Sequence, residues 1–570
     1  MFENQKDEKP SKTVQNIKNI LSRYGISINE VQWNHVRFNC WSVRIEIKQS
    51  YGFGTCGKGI SREYALASAY AELMERLHTF PIRIGGHCAD SVEQSIPQCL
   101  RNKKIISMDN IRKSFLFKMS KEKKYVCVPF YHYNSRECVY LPYNKPFWNF
   151  IGSNGYCAGN TPQEAIIQGI CEIFERFVLK ELFMDASIRL PSVPYNLIKD
   201  LKSQKIISRI KQKGWNVIVK DCSLGGRFPV VGCLLINDQK THYHFHLGSA
   251  PVFDTAIQRC LTETAQGLNN FPDDFYSKMK SIDSNEFLIG KDFSIDKGDL
   301  DHPNYFVEFY RNFKQGNGRY PNSVFYSKGF LSKKDLSAIF MQKPKSNVEM
   351  LKWLVSRFIK EKYDLFIRDT SSFGFPTFIV YIPYLSEITL EDVHELRSFL
   401  SNDFENVIRN IKLATKKDLK NFLNKCNQVI LPFLRLDIVC SEQRRADVLF
   451  KLIRIAQYVK DYSNLIIYLR MYSEDCVDKR DKEYFTCLIL LIKMISNNLS
   501  IEESQESLKN IYSGVILRKV IKDFLDSESA IKGFDEYRPK VAITEAANLI
   551  SIAEKIRNIA IDQARLSAYF

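Results

Sequence analysis

Residues 59–76 read GISREYALASAYAELMER, and residues 159–176 read GNTPQEAIIQGICEIFER. The second stretch repeats the first at a shift of 100 positions without a gap: Gly59/Gly159, Ala65/Ala165, Glu72/Glu172, Glu75/Glu175 and Arg76/Arg176 coincide. A third stretch, DTAIQRCLTETAQG (254–267), fits the frame more loosely. Ala256 takes the alanine position, Glu263 the first carboxylate, Gln266 the second, and Arg259 falls where Ser68 and Gln168 stand. The first two copies open as helices do. Thr161 is an N-cap, Pro162 a first-turn proline and Glu164 a capping-box acid, while Ser61 caps the first copy. Positions i, i+4 and i+7 of a helix share one face, so Ser68, Glu72 and Glu75 line up. Gln168, Glu172 and Glu175 do the same, as do Arg259, Glu263 and Gln266. Small residues (Ala65, Ala67, Ala69, Ala71, Gly169) let another element approach closely.

Two carboxylates one turn apart repel each other unless they are solvated or share a cation. A single E-x-x-E-R stretch is an ordinary exposed helix face. Two gapless copies with the same flanking glycine, alanine and arginine, and a third in partial register, argue against chance surface acids. Four glutamates converging from two helices suit a hard cation such as Mg²⁺, shared between carboxylates and phosphate oxygens. Arg76, Arg176 and Arg259 offer planar, multi-donor geometry for those phosphates.

Just upstream, SYGFGTCGKG (50–59) poses a question of its own. Gly52, Gly54 and Gly57 fit the dinucleotide pattern, and Gly52–Lys58 fits a phosphate loop whose next residue is Ser or Thr. Here that residue is Gly59, which cannot ligand Mg²⁺. A dinucleotide turn needs an acid at a strand end about twenty residues on, and Glu72 and Glu75 read as mid-helix. The second copy, SNGYCAGN, keeps a glycine-bearing turn with neither consensus. The glycines are therefore read as the turn that launches the helix.

Taken together, GKGISREYALASAYAELMER, SNGYCAGNTPQEAIIQGICEIFER and AIQRCLTETAQG resemble the three nucleotide-binding stretches of the YcaO family, over roughly residues 1–390. The layout with a helical tail is similar to the free-standing housekeeping members. The resemblance implies an ATP-binding fold unrelated to the phosphate loop, in which Glu72, Glu75, Glu172 and Glu175 hold Mg²⁺. Ser68, Asn160, Gln168, Arg176, Arg259 and Glu263 match nucleotide-contacting positions, and Arg176, Arg259 and Glu263 take the catalytic places. At the N-terminus QKDEKPSKTVQNI nominates Lys6 and Thr13. Glu164 stands between a capping-box role and a ribose contact, with the cap preferred.

The implied chemistry is ATP-dependent activation of a peptide-backbone amide. A nucleophile adds to the carbonyl carbon, the amide oxygen attacks the γ-phosphate, and phosphate leaves, giving an azoline or a thioamide. Azoline-forming members typically end in P-x-P-x-P, whereas this chain ends ARLSAYF with no proline after Pro539, which argues against that product. Housekeeping members without the proline tail are linked, as accessory factors, to methylthiolation of the twelfth protein of the small ribosomal subunit. Two functions follow: an ATP-dependent peptide-modifying enzyme, either housekeeping or a thioamide- or azoline-forming cyclodehydratase of a peptide natural-product pathway, or a nucleotide-binding accessory protein without amide chemistry of its own. The implied partners are a peptide or ribosomal-protein substrate and a methylthiotransferase or peptide-binding protein; a homodimer is compatible with both.

The rest of the chain sets the frame. At 570 residues, 45% hydrophobic and 25% charged, it suits a soluble protein of several domains. A net charge of +17 favours an anionic partner, but the basic residues are dispersed, with only local runs such as RNKK (101–104) and KEKK (121–124). Sequence-specific nucleic-acid binding is not expected. Fifteen scattered cysteines with no C-x-x-C, a polar N-terminus and apolar runs too short to span a bilayer point to a reducing cytoplasm.

Strand-like runs appear at 40–47, 125–133, 215–222, 228–236 and 243–248, separated by helical periodicity. The fold class is α+β over 1–390, with mixed sheets and helices. An all-α, solenoid-like (TPR-like) domain is expected over 391–570. HYHFH (242–246) sets His242, His244 and His246 on one side of a strand, with no carboxylate or Cys paired to them, and is read as structural. Cys56 and Cys157 lack an identifiable His partner and are read as lining thiols.

Overall fold

The computed structural model describes residues 6–36, 40–48, 53–83, 90–95, 114, 124–142, 152–185, 187–239, 242–263, 280–281, 320, 324–325, 329–360, 362–388, 404–429, 442–475, 479–526 and 561–570. Gly52 and Gln266, and the tail stretch 542–560, lie outside them. The chain divides into two compact units, residues 1–390 with 542–570, and residues 391–541.

Among the described residues the first unit holds three antiparallel sheets. β1 (Ile28–Val36), β2 (Cys40–Ile47) and β3 (Gly54–Gly59) form the first, in that order. Along β2 the alternation of CWSVRIEI sends Val43, Ile45 and Ile47 to one face. There they are buried against α1 (Pro10–Arg23) and α2 (Arg62–Arg83), while Ser42, Arg44 and Glu46 point the other way. The second sheet runs β4 (Val92–Ser95), β5 (Lys124–His132), β12 (Phe366–Asp369), β13 (Thr377–Tyr381), β7 (Tyr156–Ala158), with β6 (Glu137–Pro142) paired to β5. The third runs β11 (Lys280–Ser281), β10 (His242–Ser249), β9 (Val230–Asn237), β8 (Trp215–Asp221). All five strand-like runs named from the sequence are strands.

α3 (Pro162–Met184) is buried almost all round. Ile166, Ile170, Phe174 and Phe177 enter the largest core, where α3 meets β7, β13, β9 and β10. α4 (Leu201–Lys211) and α5 (Phe253–Glu263) close the opposite face of β8–β10 through Ile207, Ile210, Ile257 and Leu261, packed with Val219, Cys233 and Leu235. α6 (Lys333–Ile339) begins on a Ser332–Asp335 capping box, and α7 (Asn347–Leu354) packs on α3.

Residues 561–570 belong to this unit, not to the helical tail in which the sequence pattern placed them. Leu566 is buried in the core of α3. Gln563 accepts from the Asp369 amide at 2.7 Å, and the Arg565 guanidinium pairs with the Asp369 carboxylate at 2.5 Å.

In the second unit the long elements among the described residues are all helices: α8 (Glu405–Arg409), α9 (Lys416–Val429), α10 (Glu442–Tyr458), α11 (Tyr462–Asp475), α12 (Lys479–Ser496), α13 (Ile501–Leu508) and α14 (Gly514–Leu525). α9, α10, α11 and α12 pack in succession, and α13 and α14 both pack on α12. Leu449, Leu452, Leu469, Leu491, Leu508 and Val520 form their shared core. Among the described residues no helix is long and apolar enough to cross a membrane.

Candidate functional site

Three strand–helix joints position the site, and they share one device. On β3 a Cβ on Gly57 would stand 2.0 Å from the Ala65 carbonyl oxygen and 2.3 Å from the Ala69 nitrogen; one on Gly59 would lie 2.6 Å from the Ala65 nitrogen. On β10 a Cβ on Gly248 would meet the Ala256 carbonyl oxygen at 2.3 Å and the Cys260 nitrogen at 2.9 Å. Gly159 stands to the Ala165 nitrogen, at 2.7 Å, as Gly59 stands to Ala65. Each strand thus lies directly on the backbone of the helix that follows it, which explains why glycine and alanine recur in register. Where the second copy has Cys157 in place of Gly57, the helix has Gly169 in place of Ala69, and the Cys157 Sγ lies 2.9 Å from the Gly169 Cβ position. The glycines read as a turn therefore lie on β3 instead, where Gly57 and Gly59 serve backbone contact between strand and helix.

α2 starts as expected, with the Ser61 hydroxyl accepting from the Tyr64 amide at 3.4 Å. Thr161 caps α3 by accepting from the Glu164 amide, but the capping box is only half formed. The Glu164 carboxylate accepts instead from Lys6 Nζ (3.0 Å), the Asp7 amide (3.0 Å) and Asn160 Nδ2 (3.1 Å). Thr13 donates to Asn160 Oδ1 at 2.7 Å, and Thr161 meets Asp7. Burial works against the Glu164 charge, but Lys6, Asp7 and Asn160 outweigh it and lower its pKa. The cap preferred for Glu164 is therefore corrected. Three better donors outcompete the N-cap amide, and Lys6, Thr13, Asn160 and Glu164 form one polar cluster tying the N-terminal segment to the start of α3.

The E-x-x-E-R faces are half-buried: Ser68, Glu72, Glu75 and Arg76 on one helix, Gln168, Glu172, Glu175 and Arg176 on the other. Both helices touch β7 and β13, which brings the faces together. Burial, then the nearby charges of Glu172 and Glu72, push the Glu75 carboxyl well up despite Arg76. Glu172 and Glu175 are also raised, burial being the larger cause and Glu72 and Glu172 the repelling neighbours. Arg76 reaches Glu72 at 3.0 Å and Glu75 at 3.7 Å, and Arg176 reaches Glu172 at 2.9 Å. Arg259 donates to the Ser249 carbonyl at 2.6 Å and stabilises the charges of Glu175 and Glu172 from α5. As placed, no three such side chains among the described residues close round one metal position. Glu72 and Glu172 are turned onto their own arginines. The donor chemistry nonetheless fits Mg²⁺: hard carboxylate oxygens, mutually repelling and part-buried, a set that a divalent cation relieves.

Lys58 joins this site and was missed as a functional residue. In the sequence it reads only as the lysine of a failed phosphate loop. It stands on β3 between two helix-packed glycines and pairs with Glu263 at the end of α5. Burial pulls its ammonium down to about 8, against the attraction of Glu175, Glu72 and Glu172. The signal lay in the period of the strand, since Gly57 and Gly59 facing the helix leave Lys58 on the opposite side.

Cys157 is fully buried and donates to the Phe378 carbonyl at 3.5 Å, and burial pushes its thiol well up, so it lines the core. Cys56 is half-buried and accepts from Arg44 at 3.6 Å. His244 and His246 meet each other, ring centroids 4.0 Å apart and edge to face.

The family model described as YcaO cyclodehydratase, ATP- and Mg²⁺-binding, matches residues 56–386. Over 273 residues the chain is 30% identical to the ribosomal protein S12 methylthiotransferase accessory factor YcaO of Escherichia coli, covering 43% of this chain and 46% of that protein. It is 29% identical to an uncharacterised protein of Haemophilus influenzae over the same shares. The matches thus span less than half the length of these curated relatives. Among solved structures, YcaO from Methanopyrus kandleri bound with AMPPCP and Mg²⁺ aligns at a TM-score of 0.45 and 17% identity, over 67% of this chain and 93% of that one. A heterocyclase in complex with substrate and cofactor aligns at 0.44 and 14%, over 66% and 52%.

Proposed function

The chain belongs to the YcaO family, whose model is described as ATP- and Mg²⁺-binding, and from that premise we propose that it uses ATP to activate a peptide-backbone amide. The observation that carries this reading is the meeting of two E-x-x-E-R helices whose part-buried glutamates repel one another. Glu72, Glu75, Glu172 and Glu175 would hold Mg²⁺, which neutralises charge on the phosphoryl group in transfer. Ser68, Asn160, Gln168, Arg176, Arg259 and Glu263 would contact the nucleotide, with Lys6 and Thr13 closing it from the N-terminal segment through Asn160 and Glu164. Arg176 and Arg259 are the fixed, planar donors for phosphate oxygens, and Glu263 the acid beside them.

Residues 391–541 are read as a TPR-like partner-binding solenoid, and the protein as cytoplasmic. The substrate is a peptide or ribosomal protein. The name of the Escherichia coli relative favours a second reading, an accessory factor that binds nucleotide and assists a methylthiotransferase without amide chemistry.

Phosphate release from ATP by the purified protein, with and without candidate peptides or the ribosomal protein, tests both. Release that requires peptide sinks the accessory-only reading. Glu72→Ala and Glu175→Ala are expected to lower Mg²⁺-dependent nucleotide affinity at least tenfold, and unchanged affinity would overturn the site.

A further inference from the structure

Among the described residues five cation–carboxylate pairs lie in the site: Lys6–Glu164, Arg76–Glu72, Arg76–Glu75, Arg176–Glu172 and Lys58–Glu263. Three of them lie within single helices. Lys6–Glu164 is part of a hydrogen-bonded cluster that includes the Asp7 amide and Asn160. Lys58–Glu263 differs, since it joins β3 to the end of α5 and neither residue lies on the E-x-x-E helices. We infer that Lys58 is a phosphate-reading cation, paired with Glu263 and transferred to the terminal phosphate when a nucleoside triphosphate enters. This rests on the reading of the E-x-x-E-R site as the nucleotide site.

Four points carry it. The backbone under Lys58 is fixed, because Gly57 and Gly59 are pressed onto α2 with no room for a Cβ. The side chain above that fixed point is a flexible four-carbon stem ending in a compact charge, which can change partners without moving the strand. Its partner, Glu263, is 26% exposed and Lys58 itself 25% exposed, so the pair is partly open to solvent. The charges felt by Lys58 come from Glu175, Glu72, Glu172 and Arg259, which places its ammonium within the field of both helices. A cation bound by those glutamates cancels their pull on Lys58, while an arriving phosphate supplies a stronger one. A phosphate that reaches Lys58 competes with Glu263 for its ammonium.

The competing role is a fixed counter-charge to the acidic cluster. A counter-charge serves diphosphate and triphosphate alike, whereas a terminal-phosphate contact distinguishes them. The test uses the full chain with Mg²⁺. Acylation of Lys58 by an amine reagent, followed by mass spectrometry, is compared between ADP and a non-hydrolysable triphosphate analogue. The triphosphate is expected to slow acylation of Lys58 by about tenfold relative to ADP, the scale of one charge-assisted contact. Direct binding of fluorescent nucleotides gives the second readout. Lys58→Met is expected to weaken the triphosphate about tenfold and the diphosphate less than about twofold, with Lys58→Arg recovering part of the loss. Equal acylation in the two nucleotides, or an unchanged triphosphate-to-diphosphate ratio in Lys58→Met, overturns the role of Lys58 and leaves the nucleotide site standing. Failure of the unaltered chain to bind either nucleotide overturns both. Should Lys58→Met misfold by circular dichroism, the acylation comparison on the unaltered chain decides.

Discussion

His78 sits three residues beyond Glu75 on α2 and is 4% exposed. Its Nδ1 lies 2.7 Å from the Met74 carbonyl oxygen, and its Nε2 lies 3.1 Å from the Phe373 amide nitrogen. A carbonyl only accepts and an amide N–H only donates, so Nδ1 donates and Nε2 accepts; the ring must be neutral. Burial is the larger cause of its pKa falling to about 4, and Met74 and Asp369 only partly oppose it. In the unfolded chain the value returns to about 6.5. Below that pH the unfolded chain takes up a proton that the folded chain refuses. Stability from this residue is therefore complete above about pH 6.5 and is lost progressively as pH falls towards 4, up to about 3 kcal/mol. Thermal midpoints at pH 7 and pH 5 are expected to differ less in His78→Gln than in the unaltered chain. An identical difference would refute the assignment. Glu75 has the opposite sign, since burial and like charges raise its pKa. Glu75→Gln is expected to leave the midpoint of the nucleotide-free protein at pH 7 equal or higher, while Mg²⁺-dependent nucleotide affinity drops at least tenfold. A clear loss of stability would show that Glu75 is a structural partner of Arg76 and not a strained ligand.

At the scale of elements, the site depends on how closely each strand lies on its helix. Gly169 and Cys157 exchange the small residue that Gly57 and Ala69 place the other way round. Gly169→Ala brings a methyl to 2.9 Å from both the Cys157 sulfur and a Val380 methyl, an overpacking expected to cost about 1–3 kcal/mol. Cys157→Ala in the same chain removes one of the two obstacles, so chemical denaturation of the double variant is expected to recover part of the loss. Additive losses would mean that the strand–helix gap does not control the packing. These joints also show what was legible in advance. The gapless repeat displayed the helices, their shared glutamate face and the small residues, because helical period and side-chain size are written directly in sequence. β2 could likewise be read from alternation. What stayed hidden were partners distant in the chain. Glu164 offered a capping-box spacing, yet Lys6, 158 residues away, takes its carboxylate. Lys58 meets Glu263 across a separation that no local pattern encodes.

Over the whole molecule, residues 391–541 carry 25 Lys and Arg against 23 Asp and Glu, so nearly all of the +17 charge lies in the unit that bears the site. That unit is also completed by the far end of the sequence. Leu566 is fully buried, and Phe570 stacks on Tyr131 with ring centroids 6.3 Å apart and tilts against Tyr133 at 4.9 Å. Gln163 in the first turn of α3 donates to the Tyr569 carbonyl at 3.4 Å. Arg565 neutralises Asp369, whose carboxylate is only 1% exposed and also accepts from the Ser371 amide at 2.8 Å. The loop after Asp369 leads to Phe373, whose amide holds His78. Removing residues 561–570 would leave a buried carboxylate without its guanidinium and an apolar slot open to water, two costs of about 2 kcal/mol or more each. Leu566→Ala is expected to destabilise the first unit by about 2–4 kcal/mol. A chain ending at residue 390 should accordingly melt lower than the full chain. A synthetic peptide of residues 561–570 should raise its midpoint in a concentration-dependent way, as any ligand of the folded state does. The same peptide carrying Leu566→Ala and Arg565→Ala should raise it far less. If both peptides act alike, or neither acts on a chain that is folded by circular dichroism, the docked segment contributes nothing to that unit. A selective effect of the unaltered peptide would establish that residues far apart in sequence complete one core, beside the helices that carry the glutamates.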